Sequence, residues 1–194
     1  MNICIFGDSI TWGAFDYDKG GWVERLKSKL MSDDIIYNLG VSDDSTEEVI
    51  KRLENETEAR NPDIIIFAVG MNDAYRYNGE TRTSIDEFRK NIEILTNKAK
   101  RITDKIVFIG LTNVDEAKTN PYSWDENISS NNEDISQYDE AIEFFCQNNG
   151  LTYVEMLGVL IKDEDLCDGL HPTSIGHQKM FEVISKAIEP LWKE

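Results

Sequence analysis

Short apolar runs punctuate the chain at residues 2–6, 34–39, 63–69, 105–111 and 151–154. Each has the length and the β-branched or aromatic content of a buried strand. Between them, apolar positions recur at helical spacing over residues 22–31, 46–60, 85–101, 135–149 and 174–189. The ends of these stretches carry local signals. Ser45 with Glu48 and Ser84 with Glu87 fit capping boxes, and Gly150 fits the left-handed position that closes a helix.

Strands that alternate with helices imply β-α-β crossovers, hence a parallel sheet covered on both faces. The near-continuous Ile, Val and Phe of the third and fourth runs suit strands buried on both sides. The predicted fold is α/β: three layers, α/β/α, around a five-stranded parallel sheet in the flavodoxin-like order 2-1-3-4-5. No linker or repeat divides residues 1–194, so one domain is expected. Residues 112–134 form a long polar stretch rich in Asn and Ser, with Pro121, Tyr122 and Trp124. Such stretches are often functional, and a lid is expected here.

Charge and composition narrow the partners. A formal net charge of −17 repels phosphate backbones and anionic lipid headgroups, so nucleic acid is not an expected partner. No apolar run approaches the length of a membrane span, and the N-terminus lacks the basic flank and cleavage site of a signal peptide. A cytoplasmic location is expected. The three scattered cysteines, Cys4, Cys146 and Cys167, fit neither a disulfide framework nor a structural zinc site, so no metal is expected.

The chemistry emerges once the polar residues are placed on the sheet, because ligands of open α/β folds bind beyond the carboxyl ends of the strands. Gly7-Asp8-Ser9-Ile10 follows the first run, Asn38-Leu39-Gly40-Val41-Ser42 spans the exit of the second, and Gly70-Met71-Asn72-Asp73 follows the third. Asp168-Gly169-Leu170-His171-Pro172 precedes the last helix. A serine hydroxyl needs a base to become nucleophilic. His171 is the candidate base for Ser9, and Asp168, three residues before it, can orient the imidazole. A backbone carbonyl could share that task, in which case replacing Asp168 would cost less than replacing His171. The expected oxyanion donors are the backbone N–H groups of Ser9 and Gly40 and the side-chain amide of Asn72. His177 is read as a structural or surface residue, and Asp8 and Asp73 as acceptors that stabilise their loops.

Taken singly, each motif has an ordinary structural explanation. Their joint order resembles the GDSL-type esterases, also called the SGNH hydrolases, over residues 3 to about 185. In that resemblance Ser9, Gly40, Asn72 and His171 match the four residues of the name, and Asp168 completes the Asp-x-x-His motif. Ile10 stands where leucine is usual, and Thr173 where many relatives carry asparagine. The resemblance implies acyl ester or thioester hydrolysis without metal or organic cofactor. Trp12, Tyr75 and Trp124 are the expected substrate contacts, and aromatic rings mixed with polar groups suit short acyl chains and a polar alcohol. A small-molecule acyl ester is the expected partner, with an acyl thioester or an acetylated carbohydrate as alternatives. A non-catalytic flavodoxin-like module binding FMN is the rival from another class, but it gives no reason for the Asp168 and His171 pair.

Overall fold

The computed structural model describes residues 1–29 and 33–192. The predicted periodic stretch at 22–31 therefore ends on Leu30 and Met31, which lie outside the described residues.

The chain begins with β1 (Asn2–Gly7), α1 (Ser9–Trp12), α2 (Gly21–Lys27), β2 (Ile35–Gly40) and α3 (Thr46–Glu58). It continues through β3 (Ile64–Ala68), α4 (Met71–Ala74), the two-residue strands β4 (Arg76–Tyr77) and β5 (Glu80–Thr81), and α5 (Ile85–Ala99). Then follow β6 (Ile106–Ile109), α6 (Glu116–Thr119), β7 (Ile128–Ser129) and α7 (Asn132–Asn149). β8 (Thr152–Val154), α8 (Lys162–Asp165) and α9 (Ser174–Trp192) complete it.

The five long apolar runs pair as the parallel sheet β2-β1-β3-β6-β8, which is the expected order. Helix α2 packs on α9, while α3 packs on α5 and α5 on α7, giving the two outer layers. Strands buried on both faces need side chains that fill both. Phe6, Phe67 and Phe108 stack across β1, β3 and β6 at 5.9 and 5.1 Å between ring centroids, all fully buried. Cys4 and Cys146 are buried, as read from their apolar surroundings, and burial pushes both thiols up to about 12. No helix among the described residues is long and apolar enough to cross a membrane.

Local signals set the helix ends. Ser45 and Glu48 form the complete capping box, and Gly150 closes α7 at φ +63° with its N–H on the Cys146 carbonyl. Ser84 does half of what was expected: its hydroxyl accepts from the Glu87 N–H, and no reciprocal bond from the Glu87 side chain is formed.

Residues 112–134, where a lid is expected, carry regular structure. They carry α6 and β7, and β7 pairs with β4, itself paired with β5, as a second, three-stranded antiparallel sheet. Side chains fasten this segment internally: Thr119 Oγ1 donates to the Ser130 carbonyl at 2.9 Å, and Asn132 Nδ2 to the Val114 carbonyl at 3.1 Å. It forms a built wall beside the strand exits. Two-residue strands are too short to show any periodicity, which is why the sequence pattern missed this sheet.

Candidate active site

Register brings the strand exits together. Gly7 of β1 lies opposite Gly40 of β2 and Ala68 of β3, so the three chains leave the sheet side by side at one edge. Asp8 turns the chain into α1: its carboxylate accepts the Ile10 N–H at 2.9 Å and caps the helix that begins with Ser9. Burial pushes the Asp8 carboxyl up to about 6, against the pull of that hydrogen bond and of the His171 charge.

Ser9 Oγ lies 2.9 Å from His171 Nε2, and His171 Nδ1 lies 2.7 Å from Asp168 Oδ2. The other carboxylate oxygen of Asp168 accepts the backbone N–H groups of Leu170 and His171, at 3.0 and 2.8 Å, and so builds the turn that presents the ring. Burial alone would raise the Asp168 pKa; the hydrogen bonds from the His171 ring, His171 N–H and Leu170 N–H outweigh it and hold the carboxyl at about 2. An ionised carboxylate only accepts, so it places the ring proton on Nδ1 and leaves the Nε2 lone pair for the serine hydroxyl. No backbone carbonyl shares the Nδ1 proton among the described residues.

Ser9 and His171 open onto a cleft of about 570 Å³. Ser42, Asp43, Asn72, Tyr75, Tyr122, Trp124, Ile128 and Leu170 border it, and Phe15 lies against the histidine ring. Of the residues expected from sequence, Ser9, His171, Asn72, Tyr75 and Trp124 therefore meet at one cleft, with Asp168 behind the ring. Asn72 Nδ2 gives one proton to the Asp44 carbonyl at 3.0 Å, which leaves its second N–H for a ligand.

Two expectations are corrected. Gly40 does not border the cleft: its N–H donates to Asn38 Oδ1 at 3.0 Å. A Cβ there would stand 2.4 Å from the Trp12 nitrogen, so glycine is needed for the close approach of β2 to α1. Ser42 and Asp43 reach the cleft from this segment, and Asp43, in the left-handed region at φ +68°, has an N–H that no described residue accepts. The available signal was weak: aspartate is among the few residues that enter this region readily, and Asp43 sits just before a helix cap. Trp12 is the second correction. It lines a separate groove with Tyr17, Tyr37 and Asn38 and is not among the residues that line the Ser9 cleft.

The remaining motif residues are structural. Asp73, its carboxyl raised by burial, accepts the Thr46 N–H at 3.0 Å and supports the start of α3. His177 is fully buried on α9, with Nε2 on the Ala14 carbonyl at 3.1 Å, and burial lowers its pKa.

Solved structures share this architecture. A lipase/acylhydrolase from Enterococcus faecalis superposes with a TM-score of 0.79 at 23% identity, over 98% of this chain and 96% of that one. Axe2, an acetylxylan esterase from Geobacillus stearothermophilus, gives 0.78 at 18% identity over 96% and 93%. A GDSL-like lipase from Bacteroides thetaiotaomicron gives 0.76 at 20% identity over 98% and 88%. At such identities the likeness establishes the fold. Comparison with curated protein sequences finds no match. The sequence profile of the GDSL-like lipase/acylhydrolase family matches residues 5–179, nearly the whole length. The chain therefore belongs to the GDSL-like lipase/acylhydrolase family and is a serine hydrolase of ester bonds.

Proposed function

We propose that this enzyme hydrolyses short-chain acyl esters, with Ser9 as nucleophile, His171 as general base and Asp168 as the group that orients the ring. The observation that carries the reading is the hydrogen-bonded chain from Ser9 through His171 to Asp168, at 2.9 and 2.7 Å, opening onto a cleft. Ser9 Oγ attacks the ester carbonyl while its proton passes to His171 Nε2. The imidazolium, stabilised by Asp168, returns that proton to the departing alkoxide. Water, deprotonated by the same nitrogen, then attacks the acyl-enzyme and releases the acid. The negative charge on the tetrahedral oxygen faces the Ser9 N–H, the Asp43 N–H and the free N–H of Asn72. None of the described residues accepts a bond from either backbone N–H.

The cleft supports a small acyl group. Ile128 of the second sheet, Tyr122 beside it and Phe15 wall it in. Partly exposed aromatic rings also line it, with Trp124 70% and Phe15 41% exposed, and these favour a polar alcohol such as an acetylated sugar. Axe2, similar in fold, is described as an acetylxylan esterase.

A series of p-nitrophenyl esters from acetate to palmitate, beside acetylated sugars and an acyl thioester, tests this, with Ser9→Ala as control. Turnover of acetate and butyrate esters that Ser9→Ala abolishes is the expected result. A kcat/KM that climbs beyond eight carbons, or a thioester preferred over every oxygen ester, would overturn the short-ester reading.

A further inference from the structure

Asp43 occupies an unusual position for a residue with a side chain, at the apex of the turn between β2 and α3. Its neighbours are held from within the layer: Val41 N–H donates to the Gly7 carbonyl at 3.0 Å, and Asp44 Oδ2 accepts from Arg52 Nε at 2.7 Å. The Asp44 carbonyl accepts from Asn72, and Ser45 is bound to Glu48. Asp43 itself is gripped, at its carbonyl and its carboxylate, by one side chain from a different part of the chain. Arg82 Nη1 donates to the Asp43 carbonyl and to Asp43 Oδ1, both at 2.9 Å.

Arg82 is itself held on several sides. Its Nη2 donates to Glu48 Oε2 at 3.2 Å, and its guanidinium lies 5.5 Å from the ring centroid of Tyr75, a wall of the cleft. Its backbone N–H donates to the Tyr75 carbonyl at 2.9 Å, so the clamp is anchored to the segment that follows Asn72. A planar fork with several acceptors around it fixes an orientation that a point charge cannot.

We propose that Arg82 is a positioning residue of the oxyanion site: by holding the Asp43 carbonyl and carboxylate it fixes residue 43 at φ +68°, and through that dihedral keeps the N–H of the preceding peptide in the cleft beside Asn72. The inference rests on the reading that this N–H receives the developing oxyanion. Without the clamp, the aspartate backbone relaxes toward negative φ, the peptide rotates and the donor leaves its place. Because the donor acts on charge that appears during reaction, its displacement lowers kcat while leaving ground-state binding nearly intact.

The test compares Arg82→Ala, Arg82→Lys and Asn72→Ala with wild type, using p-nitrophenyl acetate for kcat and KM. A short alkylboronic acid, which forms a tetrahedral adduct on the nucleophile, reports affinity for the transition-state geometry. Arg82→Ala is expected to lose at least about tenfold in kcat, with KM within about twofold and boronate affinity falling in parallel. Arg82→Lys, folded as judged by circular dichroism, should recover part of that loss without reaching wild type. If Asn72→Ala loses about a hundredfold or more while both Arg82 variants keep wild-type kcat, the oxyanion reading stands and the clamp is overturned. If Asn72→Ala itself retains activity and boronate affinity, the oxyanion reading fails and the clamp falls with it. A change confined to KM would make Arg82 a support of the substrate wall at Tyr75 and would also overturn the proposal.

Discussion

The phenyl ring of Phe15 lies 5.1 Å from the imidazole of His171, tilted by 37°, on a backbone at φ +64°. A bulky residue in that region costs about 1–2 kcal/mol. The surrounding loop imposes it: Asp16 accepts the Gly21 N–H at 3.1 Å on its side chain and the Gly20 N–H at 2.8 Å on its carbonyl. Phe15→Ala keeps the strain and loses the ring, whereas Phe15→Gly loses both. The glycine variant is expected to be the more stable of the two, by up to about 1 kcal/mol after its larger unfolded-state entropy is counted. Both should lose kcat/KM on short esters. Thermal unfolding and ester kinetics on the pair decide it; equal stability would mean the loop imposes no strain.

The loop that carries Phe15 is tied to the histidine side of the cleft by a buried ion pair. Arg25 of α2 pairs with Asp16, the two side chains being 7% and 1% exposed, and also donates to the carbonyl and hydroxyl of Ser174 at 3.0 Å each. Ser174 begins α9, three residues after His171. Removing one partner of a buried pair leaves the other charge without compensation, so Arg25→Ala should destabilise by about 3–5 kcal/mol. The double change Asp16→Asn, Arg25→Met should recover a substantial part of that stability, and denaturant titrations of the three proteins measure both effects.

Asp168→Asn should be nearly as damaging as loss of His171. The sequence left room for a backbone carbonyl to hold the ring, but the only partner of Nδ1 among the described residues is the carboxylate. An asparagine amide can present an N–H to Nδ1, which moves the ring proton to Nε2 and removes the acceptor that Ser9 needs. A loss in kcat on the order of 10³–10⁴ is expected, as for the equivalent change in serine proteases. Ester kinetics on the folded variant, with its backbone turn verified by NMR, check this. The stability contributed by the depressed Asp168 pKa is present above its unfolded value and disappears as pH falls through about 2.

Asp8 has the opposite linkage. Its folded pKa of about 6 lies above the unfolded value, so the native state holds a proton that the unfolded chain has already released. Stability from this group is therefore full at low pH and falls as pH rises through about 6. At neutral pH the cost is on the order of 3 kcal/mol. Asp8→Asn keeps an acceptor for the Ile10 N–H. Its melting temperature should exceed that of wild type by more at pH 7 than at pH 4, and a gap independent of pH would contradict this account.

Much of the molecule was readable from residue order alone. The five strands and their parallel, doubly covered sheet followed from apolar runs separated by helical periods, because burial on both faces leaves a pattern in each segment by itself. The Asp168–His171 turn was readable for the same reason: three residues of local backbone place the carboxylate beside the ring. Ser9 could be assigned because a strand exit followed by a capped helix start is also a local signal. Phe15 and Arg82 left no such trace, and Asp43 only a weak one. Whether a backbone N–H is free depends on what else is near it, and the Gly40 N–H is used by Asn38 while that of Asp43 is not. The positive φ of Asp43 goes with direct hydrogen bonds from the distant Arg82, and that of Phe15 with a loop closed by Asp16 onto Gly20 and Gly21. The second sheet, built from pairs of residues at 76–77, 80–81 and 128–129, forms only when those distant segments meet. Periodicity and local turn chemistry are properties of a segment, so the sequence determined the scaffold and the Ser9, Asp168 and His171 positions. Donor availability, backbone strain and the cleft walls are properties of contacts between segments, and only the tertiary structure decided them.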